Sequence, residues 1–277
     1  MVGQATGMGL AFHGNDILFH DVDKKKLRIL RKKGYDATGK VLEAVRNSDI
    51  VFVCVPTPNV DNQIDLSIMQ DSTESMGKVL GEAEKNVVVV FRSTIPPQTT
   101  RTKLIPSLES CSGLKAGRDF GVCMNPEFLR QQSPLNDFLN PTRIVIGEFD
   151  KKSGDILERL YSPFKCPIIR TDLDTAEMIK YTSNLFLASK ISFFNEIYMI
   201  CQKLGLNAKT VSEAVSLDNR IGKYGIYGGK PFDGMCLPKD LAAFITYAKS
   251  KGVNPKLLKA VAEVNREIAF SDSKNRK

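Results

Sequence analysis

The sequence predicts an α/β protein, a doubly wound parallel sheet followed by an all-α domain built around one long central helix. Three observations predict it. Five short apolar runs in the first half are continuous rather than alternating, helical patterns separate them, and the second half opens on a stretch from 172 to 204 that contains neither Gly nor Pro.

The apolar runs are residues 17–21 (ILFHD), 50–55 (IVFVCV), 87–91 (VVVVF), 120–124 (FGVCM) and 143–147 (RIVIG). Continuous β-branched runs are the pattern of strands buried on both faces, as in a parallel sheet covered by helices. Helical segments at 23–33 and 67–83 complete the βα repeats. The stretch 172–204 opens with acidic and Thr residues and is apolar at 3–4 spacing, so it forms one helix. At 1.5 Å per residue such a helix runs to roughly 50 Å, longer than a small domain is wide, so it spans domains or forms a subunit interface. Further helices are predicted at 208–217, 237–251 and 255–268, and the polar tail SDSKNRK frays. The domains are therefore 1–171, 172–270 and a disordered tail 271–277.

A chain of 277 residues suits two domains, and 42% hydrophobic with 25% charged residues excludes a disordered or collagenous protein. No apolar run reaches the ~18 residues of a membrane-spanning helix, and the N-terminus has no secretion-signal pattern. A soluble, cytoplasmic chain without a membrane partner is expected. The net charge of +8 is partly local, in Lys24, Lys25, Lys26, Arg28, Arg31, Lys32 and Lys33. These read as a solvated helix face, and with no accompanying binding motif nucleic acid is not an expected partner. The cysteines Cys54, Cys111, Cys123, Cys166, Cys201 and Cys236 form no CxxC pair, and His13 and His20 are the chain's two histidines, so no metal site is expected. The thiols read as reduced, with Cys54 and Cys201 as packing residues.

Gly3 opens a segment of small residues, GQATGMGLAF, that suits a helix packed tightly on a sheet, and the run ILFHD ends in Asp21, 18 positions later (21 − 3). On a dinucleotide-binding reading of a Rossmann-like domain, Gly3 fits the third glycine of a G-x-G-x-x-G turn and Asp21 the acid that holds the adenosine ribose. An ordinary αβ packing contact explains the same two residues. On the dinucleotide reading the first strand and two glycines precede Met1. That strand is central, so its loss leaves two edges unpaired at ~1–3 kcal/mol per buried unsatisfied group. The chain is therefore expected to be an incomplete copy of a longer one, with doubtful activity of its own.

In GGKPFDGMCLPKD, residues 228–240, Cys236 sits in a Gly-rich turn directly ahead of a helix. A helix N-terminus and a neighbouring cation such as Lys239 both favour the thiolate, so Cys236 is a candidate nucleophile; a buried loop cysteine is the alternative. Lys180 and Asn184 stand at i and i+4, where one helical face presents a cation and an amide donor.

Together these segments resemble the nucleotide-sugar dehydrogenase family that oxidises UDP-glucose or GDP-mannose at C6. The catalytic segment of that family reads much like GGxCxPKD. RSTIPPQTT at 92–100 is similar to its STxPxGT turn, NPEFLRQQSPLNDFLNPTRIVIG at 125–147 to its NPEFL segment, EMIKYTSNLFLASKISFFNE at 177–196 to its long central helix, and SLDNRIGKYG at 216–225 to its substrate loop. The resemblance covers essentially the whole chain.

It implies NAD-dependent, two-step oxidation of a nucleotide sugar, UDP-glucose to UDP-glucuronate, in polysaccharide biosynthesis. Cys236 would trap the aldehyde as a thiohemiacetal and then carry a thioester. Asp240 would orient or deprotonate water, assisted by Glu127 and Thr94, while Lys180 and Asn184 stabilise the oxyanion. NAD would meet Gly3, Asp21, Val55, Pro56, Thr57 and Ser93. The substrate would meet Phe128, Leu129, Tyr227, Gly228, Gly229 and Phe232, with Arg220 reaching a substrate bound mainly to the other subunit of a homodimer. Two residues depart from the family pattern: Asp233 stands where glycine is usual, and Gln131 where an acid is common. The family's third, C-terminal domain has no counterpart after Phe270. The alternatives are GDP-mannose as substrate, a β-hydroxyacid dehydrogenase, which needs no thiol, or a truncated non-catalytic partner that retains the helical dimerisation core.

Overall fold

The structure, a computed structural model, describes residues 1–83 and 86–275, with side chains to 270. The side chains of the tail expected to fray, 271–277, and its last two residues altogether lie outside the described part. Two compact units divide the chain, Met1–Thr57 with Asp65–Lys180 and Pro58–Ile64 with Tyr181–Lys277.

The first unit begins with α1 (Val2–Phe12), whose small residues allow close packing. A Cβ on Gly7 would stand 2.5 Å from the Phe19 ring, and one on Gly9 would overlap Phe138. There follow β1 (Leu18–His20), α2 (Lys24–Lys32), β2 (Asp36–Thr38), α3 (Val41–Arg46), β3 (Ile50–Val53), α4 (Ser67–Leu80) and β6 (Val88–Phe91), with β4 (Asn59–Val60) and β5 (Gln63–Ile64) in the other unit. A π-helical turn (Thr100–Leu104) leads into α5 (Ile105–Ser112), then β7 (Gly121–Met124), α6 (Pro134–Leu139), β8 (Ile144–Glu148), α7 (Lys151–Tyr161) and β9 (Ile168–Asp172). The seven basic residues of 24–33 are exposed around buried Leu27 and Leu30, as a solvated face should be.

The continuous apolar runs do serve two faces. Val89 and Phe91 of β6, Val122 and Met124 of β7 and Val145 of β8 join one core with Met69, Met76, Leu104 and Leu108. Val88, Val90, Cys123, Ile144 and Ile146, the alternate residues of the same strands, join a second core with Leu10, Phe138, Leu157 and Tyr161. Such a strand cannot alternate apolar with polar, which is why the sequence reads as unbroken hydrophobicity.

Strands β1 and β2 pair in parallel as one sheet, and β3-β6-β7-β8-β9 form another. No pairing joins the two, so β1 and β3 each carry one unpaired edge among the described residues. The expected parallel sheet is present, with one departure. The sheet is mixed, because β8 runs antiparallel to β7 while β9 follows β8 in parallel. Apolar periodicity is the same for either direction, so direction was not readable from the runs.

The second unit holds the hairpin of β4 (Asn59–Val60) and β5 (Gln63–Ile64), turned by Asp61 and Asn62, both at positive φ (51° and 58°) as a type I′ turn requires. The helix α8 (Leu173–Leu204) enters this unit at Tyr181, followed by α9 (Ala208–Val215), α10 (Leu237–Ser250) and α11 (Lys256–Asn275). Their core is Tyr181, Leu185, Ala188, Phe232, Leu241, Phe244, Ala248 and Val261.

Candidate active site

In the first unit Gly3 lies in the first turn of α1, and the other expected cofactor residues lie just past the C-terminal ends of strands. A Cβ on Gly3 would stand 3.3 Å from Cys54 Cβ, just past β3, so glycine is what allows α1 to approach there. Asp21 follows β1; its Oδ1 accepts from the Asp23 amide at 2.9 Å and its Oδ2 is paired with Lys26 at 3.3 Å. Ser93 Oγ donates to the Val55 carbonyl at 2.6 Å, and Thr57 Oγ1 donates to the Thr94 carbonyl at 2.8 Å. Val55, Pro56, Thr57, Ser93 and Thr94 thus form one hydrogen-bonded rim where β3 and β6 end. This rim, an accessible acid after β1 and a glycine in the first turn of α1 fit the adenosine and ribose side of a dinucleotide.

The same unit pairs Glu127 with Lys180. Lys180 Nζ donates to the Glu127 carbonyl at 2.6 Å and to Oε1 at 3.0 Å, and the Leu129 amide donates to Oε2 at 2.6 Å. Burial pushes the Glu127 carboxyl up, but Lys180, the Leu129 amide and Arg92 together outweigh it and hold the carboxyl below its ordinary range. Phe128 lies beneath two cations, with Arg143 3.9 Å and Lys180 5.5 Å from its ring centre.

Arg92, Asn125 and Tyr161 form a buried support that sequence reasoning missed. Arg92 Nη1 donates to Asn125 Oδ1, Tyr161 Oη donates to the same oxygen at 2.6 Å, and Asn125 Nδ2 donates to the Val145 carbonyl at 2.7 Å. The burial pushes the Tyr161 hydroxyl up to about 12. The three residues are far apart in sequence, and a polar residue beside an apolar run gives no sign of its partners.

In the second unit Asn184 Nδ2 donates to Asp240 Oδ2 at 2.6 Å, and Asp240 is 1% exposed. Cys236 is the exposed N-cap of α10, and its carbonyl accepts the Asp240 amide at 2.9 Å. Lys239, expected to serve the thiol, has its Nζ 2.9 Å from Asp240 Oδ1. The Asn59 side chain donates to the Lys239 carbonyl at 3.1 Å, so the β4–β5 hairpin grips the first turn of α10.

The loop before Cys236 is clamped by two amides that sequence reasoning also missed. Asn195 accepts from the Gly229 amide at 2.8 Å and donates to the Lys230 carbonyl at 2.9 Å; Asn265 exchanges both bonds with Phe232, at 2.8 and 3.1 Å. Gly228 lies against α8, where an added Cβ would come 2.5 Å from the Phe194 carbonyl oxygen. Tyr227 is exposed and donates to Glu213 at 3.2 Å, and Arg220 is exposed and paired with Asp218 at 2.6 Å. Each amide sits within an apolar helical pattern, where the signal is a lone Asn on a buried face.

Among the described residues no cluster of His, Cys, Asp or Glu could hold a metal ion, and no helix is long and apolar enough to cross a membrane.

An α/β domain whose strand ends carry residues that fit a dinucleotide is thus followed by a helical unit with a cysteine at a helix start. Residues 1–165 match the NAD binding domain of the UDP-glucose/GDP-mannose dehydrogenase family, and residues 174–267 match the central domain of that family. The chain belongs to the UDP-glucose/GDP-mannose dehydrogenase family. It is 37% identical to a GDP-mannose 6-dehydrogenase of Pseudomonas syringae pv. tomato, over 95% of this chain and 66% of the relative. It is also 37% identical to a UDP-glucose 6-dehydrogenase of Bacillus subtilis, over 96% of this chain and 61% of the relative. A solved UDP-glucose dehydrogenase from Pyrobaculum islandicum superposes with a TM-score of 0.90 at 34% identity, covering 96% of this chain and 66% of that one. The chain thus spans less than two thirds of the length of these relatives.

Proposed function

We propose that these two units carry the NAD-dependent oxidation of UDP-glucose at C6 to UDP-glucuronate, within a cytoplasmic homodimer. The observation that carries the reading is Cys236, exposed at the start of α10, with Asp240 one turn on and held by Asn184. Gly3, Asp21, Val55, Pro56, Thr57 and Ser93 would hold NAD, which supplies the acceptor for the two electrons removed in each step. Oxidation of the alcohol leaves an aldehyde. The Cys236 thiolate adds to its carbonyl carbon, the oxygen takes a proton, and a thiohemiacetal results. A second two-electron oxidation converts it to a thioester, and water releases the acid and regenerates the thiol. Asp240 orients the water, with Glu127 and Thr94 assisting. Lys180 and Asn184 donate to the oxygen as negative charge develops there. Phe128, Leu129, Tyr227, Gly228, Gly229 and Phe232 line the sugar nucleotide, and Arg220 reaches that of the other subunit. The GDP-mannose 6-dehydrogenases at equal identity favour GDP-mannose as a second reading.

The test joins residues 1–277 to the flanking segments of the Pyrobaculum islandicum enzyme and supplies NAD with each sugar nucleotide in turn. Two NADH per acid from UDP-glucose is expected, and Cys236→Ser should stop release of the acid, since an alcohol cannot replace the thiolate at neutral pH. Steady uronate production by the serine variant would sink the nucleophile assignment. The homodimer is supported by Phe186, Phe193 and Ile200, at seven-residue spacing along α8 and 66, 58 and 48% exposed. Sedimentation should show a dimer at micromolar concentration, and a monomer there would contradict it.

A further inference from the structure

Glu177 has no part in the chemistry above, yet neither it nor its partner Thr100 is exposed to solvent (0% each). Its Oε1 accepts from the Thr100 amide at 2.9 Å and from Thr100 Oγ1 at 2.6 Å. Thr100 is the first residue of the π-helical turn, a feature that costs regular hydrogen bonding and recurs at functional sites. It closes the segment that starts at Ser93 and Thr94, whose other end is tied to Val55 and Thr57. Gln98, just before the turn, has a positive φ of 72°, so the segment is held in a conformation that a free chain would leave.

We propose that Glu177 is a positioning residue that locks the far end of the 93–100 loop to α8, one helical turn before Lys180. The importance of this lock for Thr94 rests on the function proposed above; the lock itself does not. The charged groups near Glu177 leave its carboxylate without a free counter-ion. On its own helix Asp174 repels it and Lys180 is committed to Glu127 at 3.0 Å. On the π turn Arg101 is committed to Asp174 at 3.1 Å, and Lys103 is exposed. Burial pushes the Glu177 carboxyl up to about 7, against the opposing pull of the hydrogen bonds to Thr100 and to the Gln98 backbone. Ionisation therefore places in the buried interior a charge held by hydrogen bonds alone, without a counter-ion, and opening of the loop to water relieves it.

Hydrogen exchange of residues 93–104 in the 277-residue chain, corrected for intrinsic exchange, tests the lock from about pH 5.5 to about pH 8.5. In the wild type, protection at Thr100 should fall by about tenfold across this range, the scale of one lost hydrogen bond. Glu177→Gln, which keeps the acceptor and cannot ionise, should match the wild type at low pH and stay flat. Glu177→Ala should exchange about tenfold faster throughout. Should that variant fail to fold, Thr100→Val removes one of the two bonds from the other side and should also raise exchange. Wild-type protection in the alanine or valine variant, or a surviving pH dependence in the glutamine variant, would overturn the proposal.

Discussion

Replacing Asn125 by Ala should be among the most destabilising single changes in the first unit. The side chain is 1% exposed and satisfies three groups at once: Arg92 Nη1, Tyr161 Oη and the Val145 carbonyl. Its removal leaves the tyrosine hydroxyl and the carbonyl without those partners, at ~1–3 kcal/mol each, and deprives a buried guanidinium of one charge-assisted bond of ~1.5–3 kcal/mol. Arg92 keeps a 3.3 Å bond to the backbone carbonyl of residue 125, which tempers the loss. The sum is about 4 kcal/mol, a large share of the ~5–15 kcal/mol that holds a typical domain together. Tyr161→Phe removes the donor to Asn125 and a long 3.4 Å acceptor for Arg92, and leaves Asn125 bound to Arg92, so it should cost only about 1 kcal/mol. Urea unfolding of the three proteins, followed by circular dichroism, gives both numbers. A loss below about 1 kcal/mol for Asn125→Ala, or a larger loss for Tyr161→Phe, would refute the view of Asn125 as the hub.

Two further outcomes follow from the site. The raised pKa of Glu177 means that its neutral form stabilises the fold fully below its ordinary 4.5 and that this contribution is lost as pH rises through about 7; the shift corresponds to about 3 kcal/mol. His20, lowered by burial, acts in the opposite sense, so the comparison is urea stability of the wild type against Glu177→Gln at each pH, and parallel curves would contradict the assignment. Gly228→Ala should cost roughly 1–3 kcal/mol because the new Cβ meets the backbone of α8, whereas Gly14→Ala, with nothing within 4 Å, meets only backbone strain at φ 83°; equal thermal shifts would show that the loop can yield.

What the sequence discloses depends on whether a feature is local. The runs at 50–55, 87–91, 120–124 and 143–147 fall on β3, β6, β7 and β8, and the stretch 172–204 falls on α8, because two-sided burial and a missing Gly or Pro are visible within one segment. β9 escapes notice, since Ile168–Asp172 is a half-exposed edge whose apolar run is only two residues long. The hairpin turned by Asp61 and Asn62 has strands of two residues each, too short to show alternation. The site divides in the same way. Cys236 and its glycines announce themselves in one segment, whereas the amides of Asn195 and Asn265 act on backbone 33 to 35 residues away, and no spacing rule encodes that.

The unpaired edges of β1 and β3 also bear on how the chain behaves in a crowded solution. An open strand edge offers a row of amides and carbonyls to any extended polypeptide, and natural sheets blunt such edges with charge, proline or a bulge. β3 reads Ile-Val-Phe-Val, without any of these. Two such edges that meet can pair, so self-association of this chain should rise with its concentration, a tendency that light scattering at increasing concentration would read.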